Sequence, residues 1–239
     1  MLKDFKVYVI SLKSAVDRRR LVEEQLNSLG IEFEFFDAYD KYRSREYLKT
    51  IGKHYKRVER DNWWARLGCK ISHIEVIRMA MARANNRILV LEDDIIIRDG
   101  FTESFDTYIK SLPENWGICL FGYYIKDKNK VSNPNVSTRV NDMIYTVTET
   151  HGAHCVGYNL ESKDFKNYFD ALNSRFDIQE HYDLEMHKIC NRNNITRYCV
   201  YPQFTAQANG MSYINKREKY WDIDPSDPRY DLFESKTIK

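Results

Sequence analysis

The chain has 239 residues, which is enough for one large α/β domain or two small ones. Its 37 basic and 35 acidic residues give a formal net charge of +2, and so even a balance argues against a nucleic-acid-binding scaffold. A transmembrane helix needs roughly 20 consecutive apolar residues, and no stretch of this sequence approaches that length.

The cysteines and the two ends of the chain indicate a compartment. The five cysteines are odd in number and include no C-x-x-C pair, which argues against a zinc site and a disulfide framework and favours reduced thiols. The apolar run at residues 7–12 is too short for a signal peptide, and the sequence does not end in an ER-retention signal. We therefore expect a cytoplasmic protein, with peripheral association at the inner face of a membrane as an alternative.

The first forty residues predict a βαβ unit. An apolar, β-branched run predicts a strand over residues 6–12, and a second strand is expected over residues 31–36. Between them, residues 15–29 form an amphipathic pattern, with Ser14 as the expected N-cap and Gly30 at the position that follows a helix end. A strand, a helix and a strand at this spacing predict a parallel sheet.

The rest of the chain continues the α/β alternation without a linker that would mark a domain boundary. Helices are expected at residues 71–84, 101–112, 163–172 and 183–191, and strands at 88–91, 118–121, 144–147, 155–158 and 195–201. Residues 40–66 indicate a loop with short helices, and the tail from residue 202 indicates irregular structure. The polar segment at residues 123–141 is expected to be a mobile lid that becomes ordered with ligand.

The most informative local pattern is an apolar strand that ends in three acids, Glu92, Asp93 and Asp94. In an open α/β sheet, ligands bind beyond the carboxyl ends of the strands. A divalent cation would relieve the repulsion between adjacent carboxylates, and oxygen ligands suit Mg²⁺ or Mn²⁺. An acidic turn that caps the next segment is an equally acceptable interpretation, and a phosphohydrolase or a nucleotidyl transferase would show the same pattern.

Several blocks, taken in order, resemble glycosyltransferase family 25, which includes bacterial lipopolysaccharide galactosyltransferases and collagen hydroxylysine galactosyltransferases. The similarity is good over residues 6–122 and looser afterwards, where the matching positions are residues 152–159, the segment around Asp183, and Tyr201-Pro202 with Gln207 and Ser212. The blocks that carry it are Val9-Ile10-Ser11-Leu12 with Asp17-Arg18-Arg19, Leu29-Gly30-Ile31 with Phe35-Phe36-Asp37-Ala38, Gly68-Cys69-Lys70-Ile71-Ser72-His73, and Leu89-Val90-Leu91-Glu92-Asp93-Asp94.

The resemblance implies a GT-A type, Rossmann-like fold with a central, mostly parallel sheet flanked by helices. It implies one domain over residues 1–239, with a nucleotide-sugar half at 1–122 and an acceptor half at 123–239. The expected reaction moves a hexose, usually galactose, from a UDP-sugar with inversion and with Mn²⁺ or Mg²⁺ as cofactor. The acceptor would be a glycan such as lipopolysaccharide or a collagen-type hydroxylysine. A catalytically inactive glycan-binding domain is the alternative from another class.

The resemblance also implies roles for particular residues. Asp94 corresponds to the expected metal ligand. The residues expected to bind the donor are Ser11, Leu12, Arg18, Ser72, His73, Glu92 and Asp93. A structural role for His73 and a solvent-facing position for Arg18 remain open at this stage.

An inverting displacement needs one general base within reach of the acceptor hydroxyl. Asp183 is the first candidate, because it opens a predicted helix in the late acidic stretch of the chain. Glu180 and Glu185 are rivals in the same stretch, and Asp183 could instead be a helix N-cap. His151 and His154 could reach a metal or a phosphate, or lie in a surface loop.

Overall fold

The computed structural model describes residues 2–52, 61–124, 137–174, 180–208, 210–212 and 217–219. The helices are α1 Val16–Ser28, α2 Lys41–Thr50, α3 Asp61–Ala82, α4 Phe101–Ser111, α5 Lys163–Ser174 and α6 Tyr182–Arg192. The strands are β1 Lys6–Ser11, β2 Phe33–Asp37, β3 Arg87–Glu92, β4 Ile95–Ile97, β5 Ile118–Tyr124, β6 Ser137–Arg139, β7 Ile144–Val147, β8 His151–Asn159, β9 Arg197–Val200, β10 Thr205–Gln207, β11 Gly210–Ser212 and β12 Arg217–Lys219.

Eight strands form the central sheet in the order β2-β1-β3-β8-β5-β9-β7-β6. Strand β1 pairs in parallel with both β2 and β3, as the βαβ pattern predicts. Strands β7 and β8 run against the other six, so the sheet is mixed although most of its strands share one direction. The predicted α/β class with a central, mostly parallel sheet flanked by helices is confirmed.

Two hydrophobic clusters cover the two faces of the sheet. Alternate residues of β1 divide between them, with Tyr8 and Ile10 in one cluster and Val7 and Val9 in the other. Helices α3, α5 and α6 contribute to the first cluster, and α1 and α4 contribute to the second. Because both faces are covered, β1 and β3 are continuous apolar runs rather than alternating ones. This burial fixes the strand ends that carry the polar residues.

Helix α3 begins ten residues before the predicted start, and Gly68 lets it approach the chain after β2. A Cβ atom at Gly68 would lie 2.1 Å from the carbonyl oxygen of Tyr39. One turn later, the Ser72 hydroxyl donates to the Gly68 carbonyl (2.6 Å) and accepts from the Tyr39 N–H (2.8 Å). The Gly-Cys-x-x-Ser-His block therefore docks α3 against the end of β2.

The structure corrects two further details of the sequence analysis and confirms a third. Ala15, not Ser14, occupies the N-cap of α1, and no side chain caps that helix end. Gly30 follows the helix with a φ of +64°, as predicted. The tail is not wholly irregular, because β10 pairs antiparallel with β4.

Most of the proposed lid lies outside the described residues, since positions 125–136 are not among them. Its described ends belong to β5 and β6. The division of the chain into a donor half and an acceptor half stays a prediction. Among the described residues, no helix is both long and apolar enough to cross a bilayer.

Candidate functional site

The acidic residues lie where the parallel strands β1 and β3 end side by side. The Ser11 hydroxyl at the end of β1 donates to Asp93 Oδ2 at 2.6 Å. Arg18, in the first turns of α1, donates from Nη1 to Asp93 Oδ1 (2.8 Å) and to Asp94 Oδ2 (3.3 Å). The structure thus brings together Ser11, Arg18 and the acidic motif, as expected, and Arg18 does not lie on a solvent-facing surface.

The neighbouring arginines have different surroundings. Arg19 donates to the carbonyl oxygens of Ser11 (2.8 Å) and Leu12 (3.1 Å) and pairs with Asp37 (2.7 Å), so it holds the loop after β1. Arg20 pairs with Glu24 on the exposed side of α1. Leu12 enters this network through its backbone, and its contact with a donor stays a prediction.

Glu92 is the point at which three elements meet. Its Oε1 lies 3.2 Å from His73 Nε2 and 3.8 Å from Cys69 Sγ, both on α3. Its Oε2 accepts from Gln207 Nε2 at 3.2 Å, and the same amide donates to Asp94 Oδ1 at 3.3 Å. Ser72 of the same block is buried, with its hydroxyl bonded within the protein, so its expected donor contact stays a prediction.

Gln207 reaches the site because β10 lies alongside β4, the short strand that follows the acidic turn. The Ala208 N–H donates to the Asp94 carbonyl at 2.6 Å, which ties the tail directly to the motif. Tyr124, at the end of β5, donates its hydroxyl to Gln207 Oε1 at 3.2 Å. Sequence reasoning noted Gln207 only as a loose family match, because its role depends on a strand pairing 112 positions away in the chain.

His154 of β8 forms a buried wall of the site. Its ring packs against Tyr124, with 5.2 Å between centroids, and burial lowers its pKa to about 4, so it is neutral at physiological pH. Neither ring nitrogen has a hydrogen-bond partner among the described residues. A Cβ at Gly122 would lie 2.3 Å from His154 Nε2, so glycine is needed there. The surface-loop alternative for His154 is therefore wrong.

The carboxylates differ in their affinity for protons. Burial raises the pKa of Asp94 to about 7, and the charges of Glu92 and Asp93 add to this effect while Arg18 opposes it. Burial also acts to raise the pKa of Glu92, but the hydrogen bond and charge of His73 outweigh it and hold that pKa below its usual value. Ionisation of Asp94 is consequently more costly than ionisation of Glu92 in the metal-free protein.

This leads to a prediction for the stability of the metal-free protein. The folded state raises the pKa of Asp94 from 3.8 to about 7, so folding stability is lost as pH rises between these values. Asp94→Asn cannot ionise and should melt at a higher temperature than wild type at pH 8, with the difference shrinking towards pH 4. Thermal melts in EDTA across this range measure it. A difference that does not change with pH would contradict the assignment of the raised pKa.

Asp183 lies at the start of α6, opposite the strand ends. The N-cap position belongs to His181, so Asp183 is in the first turn and is not the N-cap. Its Oδ2 accepts from the Gly152 N–H at 2.8 Å, at the beginning of β8. Burial raises the pKa of the Cys69 thiol, and Glu92, Asp183 and Asp94 add to the shift. Asp183 is therefore close enough to Cys69 for its charge to act on the thiol, as the charges of Glu92 and Asp94 do.

The two rival acids are both paired with lysine. Glu185 is buried against Lys70 of α3, with 2.6 Å between Oε2 and Nζ. Glu180 pairs with Lys188 and accepts from the His181 N–H at 3.3 Å. A carboxylate held by a lysine is a weak proton acceptor, so Asp183 is the best placed of the three acids.

The donor set at the acidic turn suits a hard divalent cation. Glu92 and Asp94 share the amide of Gln207, and the pKa of Asp94 is raised because carboxylates crowd a buried space. A cation would relieve that repulsion. Its binding to Asp94 would replace the hydrogen bonds that Arg18 and Gln207 now donate to the carboxylate.

Comparison with known proteins gives the family. The family model described as glycosyltransferase family 25 (LPS biosynthesis protein) matches residues 4–182, and the chain belongs to this family. A protein of Acanthamoeba polyphaga mimivirus that is named as a glycosyltransferase is 27% identical over 158 residues, which are 65% of this chain and 46% of that protein. A Drosophila melanogaster glycosyltransferase 25 family member is 30% identical over 106 residues, which are 41% of this chain and 17% of that protein.

The matches thus span about half or less of the length of these two relatives. Among solved structures, the chain is similar to a glycosyltransferase involved in glycosylation of the major capsid of PBCV-1, with a TM-score of 0.43, 11% identity, and coverage of 84% and 93% of the two chains. It is also similar to CMP:2-keto-3-deoxy-manno-octonic acid synthetase, with a TM-score of 0.44, 11% identity, and coverage of 81% and 88%.

Proposed function

We propose that this chain transfers a hexose, most simply galactose, from a UDP-sugar to a hydroxyl group of a glycan, with inversion at the anomeric carbon. The observation that carries the proposal is the cluster of Glu92, Asp93 and Asp94 with Arg18 at the ends of β1 and β3 in a family 25 chain. This edge of the sheet is where α/β folds bind nucleotides.

The donor side of the site has groups that could stabilise the negative charge of the diphosphate. A divalent ion, Mn²⁺ or Mg²⁺, held by Asp94 with support from Glu92 would supply Lewis-acid stabilisation of the leaving UDP. Arg18 has a fixed charge and planar donors that suit a phosphate. Arg18 would exchange its hydrogen bond to Asp94 for one to the diphosphate. Its remaining hydrogen bond to Asp93 would keep the guanidinium in place.

The acceptor side needs a base opposite the leaving group. Asp183 keeps one carboxylate oxygen on the Gly152 N–H and has no hydrogen bond to its Oδ1 within the described residues. That oxygen would take the proton of the acceptor hydroxyl as the hydroxyl oxygen bonds to the anomeric carbon. The bond between that carbon and the UDP oxygen breaks at the same time. One displacement with one base inverts the configuration and needs no protein nucleophile.

The acceptor is proposed as a glycan such as lipopolysaccharide, because the matching family is described as an LPS biosynthesis protein. A collagen-type hydroxylysine is the second acceptor to be tested. The intact acidic motif with its partly buried Glu92 contacts argues against an inactive glycan-binding domain, since unused carboxylates that lose contact with water reduce stability.

A donor and acceptor screen tests the proposal. The protein is incubated with UDP-galactose, UDP-glucose or UDP-N-acetylglucosamine, each with Mn²⁺, Mg²⁺ or EDTA and with lipopolysaccharide or hydroxylysine peptide. We expect UDP release and glycosylated product with Mn²⁺, a preference for UDP-galactose, and no product in EDTA. UDP release that no acceptor accelerates would indicate a hydrolase, and sugar binding without any UDP binding would indicate a lectin. Either result would overturn the proposal.

A further inference from the structure

Cys69, His73 and Glu92 bring three different ligand atoms together. Cys69 and His73 are four residues apart on α3, so both side chains lie on the same face of the helix. That face points at Glu92, the last residue of β3. Glu92 Oε1 lies 3.2 Å from His73 Nε2 and 3.8 Å from Cys69 Sγ, and the three ligand atoms lie within 4.8 Å of one another.

Two of these separations are close to those of a tetrahedral zinc site. Zinc binds nitrogen and oxygen at about 2.0–2.2 Å and sulfur at about 2.3 Å, so tetrahedral angles separate the ligand atoms by roughly 3.3–3.6 Å. The two measured distances to Glu92 lie within a few tenths of an ångström of that range. An ion could therefore bind with small side-chain rotations and no movement of the backbone.

Access and surroundings also fit an ion. His73 is fully buried and its ring is stacked on Tyr182, with 4.2 Å between centroids, which fixes the imidazole. Cys69 and Glu92 are only partly buried, so an ion could enter from their side and keep a water as its fourth ligand.

We propose that Cys69, His73 and Glu92 form a binding site for Zn²⁺ or a similar borderline-soft ion. Its thiolate and imidazole ligands distinguish it from the oxygen-ligand site at Asp94, with which it would share Glu92. Thiolate and imidazole ligands select zinc over Mg²⁺ and Mn²⁺. Binding forms a bond between zinc and Cys69 Sγ and releases the thiol proton to solvent. The ion would join α3 to the end of β3. Taken alone, the absence of a C-x-x-C pair in the sequence argues against zinc. Cysteine spacing could not reveal this site, because two of its three ligands are not cysteines.

Cobalt substitution tests the site directly, because a thiolate bound to Co²⁺ gives a charge-transfer absorption in the near ultraviolet. The chelator-treated protein is titrated with CoCl₂ and then with ZnCl₂. We expect one Co²⁺ per chain with this absorption, and its loss on adding zinc. Cys69→Ser should abolish the absorption while keeping a hydroxyl beside Glu92. Cys190→Ala, at a buried free cysteine of α6, is the matched control and should retain it.

Two further arms make the test decisive. Asp94→Ala should retain the cobalt absorption although it loses Mn²⁺-dependent UDP binding, which separates this site from the proposed donor site. Circular dichroism melts confirm that each variant is folded, and His73→Asn replaces Cys69→Ser if that variant unfolds. No thiolate absorption in wild type, or an unchanged absorption in folded Cys69→Ser or His73→Asn protein, would overturn the proposal.

Discussion

Replacing Asp94 with alanine is expected to abolish sugar transfer and to reduce UDP affinity in Mn²⁺ to the value measured without metal. The reason is that the carboxylate would be lost from a cation that also contacts the diphosphate. The fold should survive, because Asp94 lies in the turn after β3 and its ionised side chain is repelled by Glu92 and Asp93. The loss should therefore appear in binding and turnover, without a fall in the melting temperature.

Calorimetry of UDP with Mn²⁺ and with EDTA measures this effect, beside a transfer assay and a thermal melt. Asp99→Ala is the matched control, since Asp99 is an exposed aspartate five residues further along the chain. It should bind UDP as wild type does. If Asp94→Ala retains the full gain in UDP affinity on addition of Mn²⁺, Asp94 is not a metal ligand and Glu92 becomes the first candidate.

The sequence could predict the acidic strand end because its two signals are local. A run of four apolar residues reports a strand buried on both faces, and the acids that follow it must leave the core. The pairing of β1 with β3 then follows from the βαβ pattern, and it brings Ser11 to Asp93. For the same reason, Arg18 could be placed near the site but not on a particular carboxylate.

The start of α3 could not be predicted, because a helix buried on several sides shows no single apolar stripe. Trp63, Trp64 and Leu67 are all buried in the first turns, whereas Lys70 is buried in an ion pair, so apolar and charged positions do not alternate with the helical period. Helical periodicity of apolar residues therefore indicates only the later turns of α3. The structure shows that burial, not periodicity, defines this helix.

The long-range contacts around Glu92 and α6 could not be predicted without the three-dimensional fold. Gln207 comes from a three-residue strand in the tail, and Lys70 reaches Glu185 across 115 positions of the chain. Such short strands and long-range pairs leave no periodic signal. The loosely matching Gln207 in the family pattern was the one available hint. Ion pairs with lysine, long-range for Glu185 and local for Glu180, were also what separated Asp183 from these two acids.

Asp183→Asn is expected to lower the turnover of sugar transfer by at least about a hundredfold, the usual scale for the loss of a general base. The substitution is close to isosteric, and the amide oxygen of asparagine can still accept the hydrogen bond from the Gly152 N–H. Helix α6 and the start of β8 should therefore stay in place. UDP-sugar affinity should change little, because the proposed base would face the acceptor, whereas the nucleotide would bind at the acidic motif.

Steady-state transfer, UDP-sugar binding and a thermal melt on the same preparations separate the possible roles of Asp183. Glu180→Gln is the matched control, because Glu180 lies three residues earlier and its carboxylate is paired with Lys188. It should keep turnover within a few-fold of wild type. A purely structural role for Asp183 predicts that Asp183→Asn, which keeps the Gly152 contact, behaves like that control. Near-wild-type turnover in Asp183→Asn would remove it as the base, and a large loss in Glu180→Gln would transfer the role to Glu180.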